Sequence, residues 1–166
     1  MLGVATAWGE GKGLYDYYKL ADALPEGYQI VLVGLKKTQI ESLPDNIIGI
    51  ERTSNVQELV FLYNIASVLT SLSYGETFGL TLVEAMACGT PVVAYNNTGQ
   101  AALVTPEVGE LVETGNVSEA AEAIKSICEN GKPHYSAACR KRAEKHFNKD
   151  ACFSKYIDLY NNLINA

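Results

Sequence analysis

The sequence is short of the side chains that hold metals. It has two histidines, His134 and His146, and four cysteines, Cys88, Cys128, Cys139 and Cys152, none in CxxC spacing. No metal cluster or dithiol redox motif is read from it, and both histidines lie in charged, helical surroundings that mark them as surface residues. The cysteines read as reduced, small apolar side chains in a reducing, cytoplasmic compartment. No apolar run approaches the roughly 18–20 residues of a membrane span, and the first residues do not read as a secretory leader. Positive charge is scarce too. Thirteen Lys and Arg face nineteen Asp and Glu, a net charge of −6, which argues against a nucleic-acid-binding surface. A local basic site for a phosphate is still allowed.

What is present is a chain of 166 residues, 48% hydrophobic, long enough to bury a core without disulfides or metals. It reads as one domain over 1–166. Strand-like runs are expected at Leu2 to Trp8, Tyr28 to Val33, Asn46 to Glu51, Ser67 to Leu72, Val92 to Tyr95 and Glu110 to Val112. Between them lie helical patterns. Leu14, Tyr17, Tyr18, Ala21 and Leu24 recur at helical spacing until Pro25 stops them. Lys36 to Leu43 is a short helix ended by Pro44. Asn55 caps a helix carrying Val56, Leu59, Val60 and Tyr63. Gly79 to Cys88 is another, and Gly89-Thr90-Pro91 is a helix stop with no chemistry assigned to it.

Gly9 to Gly13 and Asn96 to Ala101 read as loops. Asn116 and Glu119 form a capping-box start for a helix with Ala120, Ile124, Ile127 and Cys128, broken by Gly131-Lys132-Pro133. Two further helices follow, the last with Phe153, Tyr156, Ile157, Tyr160 and Ile164 on one side. Alternating strands and helices imply an α/β fold: a Rossmann-like parallel sheet of about six strands, helices on both faces, and extra C-terminal helices. Because the chain opens almost at once on a strand, it reads as a portion of something longer.

The stretch Tyr74-Gly75-Glu76-Thr77-Phe78-Gly79-Leu80-Thr81 carries the chemistry. It ends at a helix N-terminus, where unpaired N–H groups and the positive end of the helix dipole suit a phosphate. Gly75 and Gly79 let the backbone approach a ligand. Lys12, between Gly11 and Gly13, offers a point charge from a second loop on the same rim of the sheet, though a lone Gly-Lys-Gly is also what a solvated turn looks like. Glu76 and Glu84 accept hydrogen bonds from sugar hydroxyls. Glu84 lies among Leu82, Val83, Ala85, Met86 and Ala87, where a carboxylate is costly to desolvate without a partner. A nucleotide-sugar, with a sugar, a diphosphate and a ribose in a row, has the shape of such a site.

Glu76, seven intervening residues, Glu84 and then Ala85-Met86-Ala87-Cys88-Gly89-Thr90-Pro91-Val92-Val93 resembles the signature of retaining GT-B glycosyltransferases of family 4 (glycosyl transferases group 1). Lys12-Gly13-Leu14 and Gly34 fall where that family's carboxyl-terminal domain has them. The resemblance implies a donor site for a UDP-, GDP- or ADP-sugar, with no cofactor and no metal. Glu84 then binds the ribose, Glu76 stands beside the transferred sugar, and Phe78, Gly79 and Leu80 cradle sugar and phosphate with Thr81 adding a hydroxyl. Lys12 neutralises the diphosphate, and Arg52 in the loop Arg52-Thr53-Ser54 meets the base. Glu76 and Lys12 are the catalytic pair.

The family's amino-terminal acceptor domain is absent from this chain, so the whole protein is expected to be a hexosyltransferase and this portion alone inactive. Polysaccharide or lipid-linked glycan assembly, in the cytoplasm or peripherally at the inner face of its membrane, follows at family level. Two departures stand out. The family's Arg before the Lys-Gly is missing from Thr6-Ala7-Trp8, and no Glu occurs in Asn97-Thr98-Gly99-Gln100-Ala101-Ala102. Two alternatives are a non-catalytic nucleotide-sugar-binding module and a GT-B nucleotide-sugar epimerase. The epimerase reading is weakened by the lack of a His near Glu76.

Overall fold

Six short strands form one sheet in the computed structural model, which describes residues 1–165. They are β1 (Leu2–Val4), β2 (Ile30–Val33), β3 (Ile47–Ile50), β4 (Leu69–Ser71), β5 (Val92–Tyr95) and β6 (Gly109–Val112). Their order is β3-β2-β1-β4-β5-β6, and every neighbouring pair is parallel. The chain runs outward from β1 to β3, then returns to β4 on the other side of β1. This reversal is the switch point at which open α/β sheets bind ligands beyond the carboxyl ends of their strands. Strands covered on both faces read as continuous apolar runs, and β5 is the clearest case: Val92, Val93, Ala94 and Tyr95 are all fully buried.

The helices are α1 (Leu14–Ala23), α2 (Lys37–Ile40), α3 (Val56–Ile65), α4 (Leu80–Ala87), α5 (Thr98–Ala101), α6 (Val117–Asn130), α7 (Lys132–Phe147) and α8 (Lys149–Ile164). On one side of the sheet α1 packs against α6; on the other, α4 packs against α3 and α7. Local chemistry sets several ends. Leu24, the residue before Pro25, is extended and ends α1. The Asn55 side chain accepts from the Glu58 amide at 2.9 Å and starts α3.

Several expectations are corrected. The first strand ends at Val4 rather than Trp8. Beyond it the chain bends, and Trp8 turns inward to donate its indole N–H to the Val33 carbonyl at 2.9 Å. The Gly9–Gly13 loop contains a 3-10 turn, Glu10–Lys12, and the Asn96–Ala101 loop contains α5. The capping box at α6 is half made. Asn116 accepts from the Glu119 amide, but the Glu119 carboxylate accepts from the Glu113 amide instead of closing on Asn116.

Helix α7 carries three cations that serve other helices. Lys132 donates to the carbonyls of Tyr63, Asn64 and Ala66 at the end of α3. Arg140 donates to the Ala87 carbonyl at the end of α4, and Arg142 to the carbonyls of Ala102 and Leu103 just past α5. Each meets carbonyls at the negative end of a helix dipole. His134 and His146, also on α7, are exposed. The apolar side chains of α8, among them Phe153, Tyr156, Ile157, Tyr160 and Ile164, are all more than half exposed. Among the described residues, no helix is long and apolar enough to cross a membrane. All four cysteines are free thiols, and burial raises the Cys139 pKa to about 12.

Candidate donor site at the switch point

The loops after β1 and β4 flank the switch point, and they carry Lys12 and Glu76. The Lys12 Nζ donates to Glu76 Oε2 at 2.5 Å. The turn that delivers Lys12 depends on Gly13, whose φ is +69°. A Cβ there would stand 2.1 Å from the Leu72 carbonyl oxygen, so only glycine lets this loop lie against β4.

A second tie binds the same two loops. The Tyr74 amide donates to the Gly11 carbonyl at 3.0 Å, and its hydroxyl donates to Asp16 Oδ2 at 2.7 Å. Asp16 is buried. It also accepts from the Tyr95 hydroxyl at 2.9 Å and from Lys19 at 3.0 Å. Burial pushes the Asp16 carboxyl up, but hydrogen bonds from Tyr74, Lys19 and Tyr95 and the charge of Lys19 outweigh it, leaving its pKa below the ordinary value.

Helix α4 follows Gly79, its cap residue, which is left-handed at φ +94°, and no side chain caps it. Its first N–H groups and the positive end of its dipole therefore face the cleft uncapped. A cavity of about 200 Å³ at this tip is lined by Lys12, Glu76, Phe78, Gly79, Leu80 and Thr81, and by Ser71 on β4. A second cavity of about 550 Å³ adjoins it, reaching Arg52, Gly34 and Glu84, and the two share Val4, Ala5, Thr6, Leu80 and Thr81. Every residue expected at the site thus borders one continuous cleft across the carboxyl ends of the strands. A separate hollow of about 490 Å³, beside Tyr15, Lys19 and Tyr74, holds none of them.

Glu84 differs from its expected setting. Leu82, Ala85 and Met86 turn into the core and are fully buried, while Glu84 lies on the exposed face of α4 that borders the cleft. Its partner is a protein hydroxyl: Tyr63 donates to Glu84 Oε2 at 2.7 Å. Burial, and then the bond to this carboxylate, raise the Tyr63 pKa well above the usual phenol range, so Tyr63 remains the donor. Its backbone is fixed as well, because the Thr90 hydroxyl donates to the Tyr63 carbonyl at 2.6 Å. Thr90, read only as part of a helix stop, is fully buried and supports the residue that holds Glu84.

Sequence reasoning missed Tyr63, Asp16 and Tyr74. Tyr63 lies on the apolar face of α3 and Asp16 beside the apolar stripe of α1; neither position carries a motif. Phe78 and Leu80 are 41% and 66% exposed, so what they offer the cleft is backbone as much as side chain. Among the described residues, no group of three His, Cys, Asp or Glu side chains is placed to hold a metal ion.

Known proteins resemble this chain in sequence and in fold. The chain is 38% identical over 91 residues to a D-inositol 3-phosphate glycosyltransferase of Saccharomonospora viridis, a match covering 54% of this chain and 21% of that protein. The sucrose-phosphate synthase structure from Thermosynechococcus elongatus superposes with a TM-score of 0.82 at 28% identity, covering 99% of this chain and 45% of the other. Anabaena Alr3699/HepE, solved in complex with UDP, superposes with a TM-score of 0.82 at 21% identity, over 97% of this chain and 48% of that one. The chain therefore spans less than half the length of each of these proteins, and its α/β sheet has the Rossmann-like form of GT-B glycosyltransferases. The Glycosyl transferases group 1 profile matches residues 8–146, and the chain belongs to that family.

Proposed function

We propose that this chain is the donor-binding domain of a retaining family-4 hexosyltransferase, taking a nucleoside diphosphate sugar whose sugar passes to an acceptor hydroxyl. The observation that carries this reading is the single cleft with Glu84 and Arg52 along one end, Lys12 and Glu76 at the other, and the uncapped tip of α4 between them. Anion-binding groups in the middle and carboxylates at both ends match a sugar–diphosphate–ribose chain. The UDP complex of Alr3699/HepE supports this class of ligand.

In this reading Glu84, held by Tyr63, accepts from the ribose hydroxyls, and Arg52 lies toward the base. Lys12 and the α4 N–H groups face the diphosphate. As the bond from the anomeric carbon to the diphosphate oxygen breaks, its electron pair leaves with the diphosphate. Fixed positive groups aimed at that growing charge lower the barrier. Glu76 orients the sugar and stabilises the electron-poor anomeric centre; it is not assigned as a covalent nucleophile. The acceptor is held by an amino-terminal domain outside this chain, so this portion alone turns over no donor. The whole protein acts in the cytoplasm, in polysaccharide or lipid-linked glycan assembly, without a metal or cofactor.

The test is a thermal-shift panel of UDP, GDP and ADP on wild type and Glu84→Ala. One nucleotide stabilises wild type, and Glu84→Ala loses most of that shift; equal shifts in both proteins refute the ribose role. A non-catalytic nucleotide-sugar-binding module is the second reading. It is favoured by the missing Arg in Thr6-Ala7-Trp8 and by a Lys12 already paired with Glu76. Binding without turnover by the full-length protein would decide for it.

A further inference from the structure

We propose that Ser71 is a further donor-binding residue, its hydroxyl donating to the diphosphate, and that Gln100 is the residue that positions it. This rests on the donor-site reading above.

Ser71 ends β4 and lines the same cavity as Lys12 and Glu76. Gln100, on α5, is fully buried, and its Nε2 donates to Ser71 Oγ at 3.1 Å. The Gln100 Oε1 is buried with no partner among the described residues. The structure turns Nε2, not Oε1, toward the Ser71 hydroxyl.

In that orientation an acceptor site of Ser71 Oγ is filled from behind by the amide. The hydroxyl proton finds no acceptor among the described residues and is left for the cavity. A free donor beside the Lys12 ammonium suits an anionic oxygen, which places the diphosphate, rather than the base or ribose, opposite Ser71.

The setting of Gln100 supports a role beyond packing. A buried orphan oxygen is destabilising, and an apolar side chain of similar length would avoid it. The helix that carries Gln100 is seated with little tolerance. A Cβ on Gly99 would stand 2.2 Å from the Glu76 carbonyl oxygen, so α5 lies directly on the backbone of the Glu76 loop. Gln100 thus fixes Ser71 from an element already registered against the catalytic loop.

The experiment is calorimetric titration of the chain with whichever of UDP, GDP and ADP binds, and with the matching monophosphate. Ser71→Ala weakens the diphosphate about tenfold, the effect of one hydrogen bond to a charged acceptor, and leaves the monophosphate unchanged. Ser71→Thr, which keeps the hydroxyl, restores binding. Gln100→Met weakens the diphosphate about threefold while its melting temperature stays level or rises, and in the Ser71→Ala background it adds no further loss, as coupled residues require.

Ser71→Ala binding the diphosphate as wild type does, or losing both nucleotides equally, overturns the inference for Ser71. Gln100→Met melting lower with binding unchanged overturns the positioning role. Those outcomes leave the donor-site reading standing. A wild-type chain that binds no nucleoside diphosphate overturns that reading, and this inference with it.

Discussion

Lys12 and Glu76 meet at 2.5 Å across the switch point, each from a different strand-to-helix loop. The pair is partly exposed, so its worth to stability is small, at most about 1 kcal/mol. On the proposed donor reading its meaning lies in competition, a diphosphate and Glu76 sharing one ammonium. Glu76→Gln is expected to bind the nucleoside diphosphate as tightly as wild type or a few-fold tighter, and Lys12→Ala about tenfold more weakly, the loss of one charge-assisted contact. Calorimetry of the three proteins checks this. The role proposed for Glu76 predicts that Glu76→Gln in the full-length protein keeps binding and loses turnover.

Tyr63 reaches Glu84 from the neighbouring helix. Tyr63→Phe removes one hydrogen bond and costs about 1 kcal/mol of stability. It also frees the Glu84 carboxylate to swing, so nucleotide affinity is expected to fall a few-fold, by the same factor for mono- and diphosphate, since the contact proposed for Glu84 is at the ribose. Urea unfolding and calorimetry give the two numbers.

Asp16 lends itself to a pH test. Its folded pKa lies below the ordinary carboxylate value, so the stability it contributes is fully present above the unfolded pKa of about 3.9 and is lost as pH falls through the folded value. Asp16→Asn is expected to be less stable than wild type at pH 7 by about 1–3 kcal/mol, having lost charge-assisted bonds from Tyr74, Tyr95 and Lys19. The gap should narrow as pH falls from about 5 toward 2. Urea midpoints across that range check both the size and the direction.

Much of the fold is legible in the residues because the sheet is covered on both faces. Val92 to Tyr95 is an unbroken apolar run between Gly89-Thr90-Pro91 and Asn96-Asn97, and its limits agree with β5 to the residue. Trp8 misleads because it is buried without being in the strand; its indole serves a carbonyl on β2. Helix α5 hides behind Gly99, which weakens any local helix signal yet is demanded by the backbone it lies on.

The cleft residues are legible because Glu76 through Pro91 keep a fixed spacing along one loop and one helix. What holds them is not legible. Tyr63 and Glu84 are 21 residues apart, and Asp16 and Tyr74 are 58 apart. Only tertiary packing brings such pairs together, and no period in the sequence announces it.

Lys132 bridges three carbonyls at the end of α3. Lys132→Met leaves the Asn64 and Ala66 carbonyls without this donor, while the Tyr63 carbonyl keeps Thr90, and is expected to destabilise the chain by about 1–3 kcal/mol, with Lys132→Arg recovering part of it. Guanidinium unfolding of the three proteins measures the series.

Arg140 clamps the far end of α4 at the Ala87 carbonyl. With that end pinned, the eight residues of α4 act as a spacer bar, and its length sets where its first amides meet the cleft. Adding a single residue to the bar would advance the tip by about 1.5 Å and swing it through roughly a quarter turn, misaiming every amide there without altering one side chain of the site.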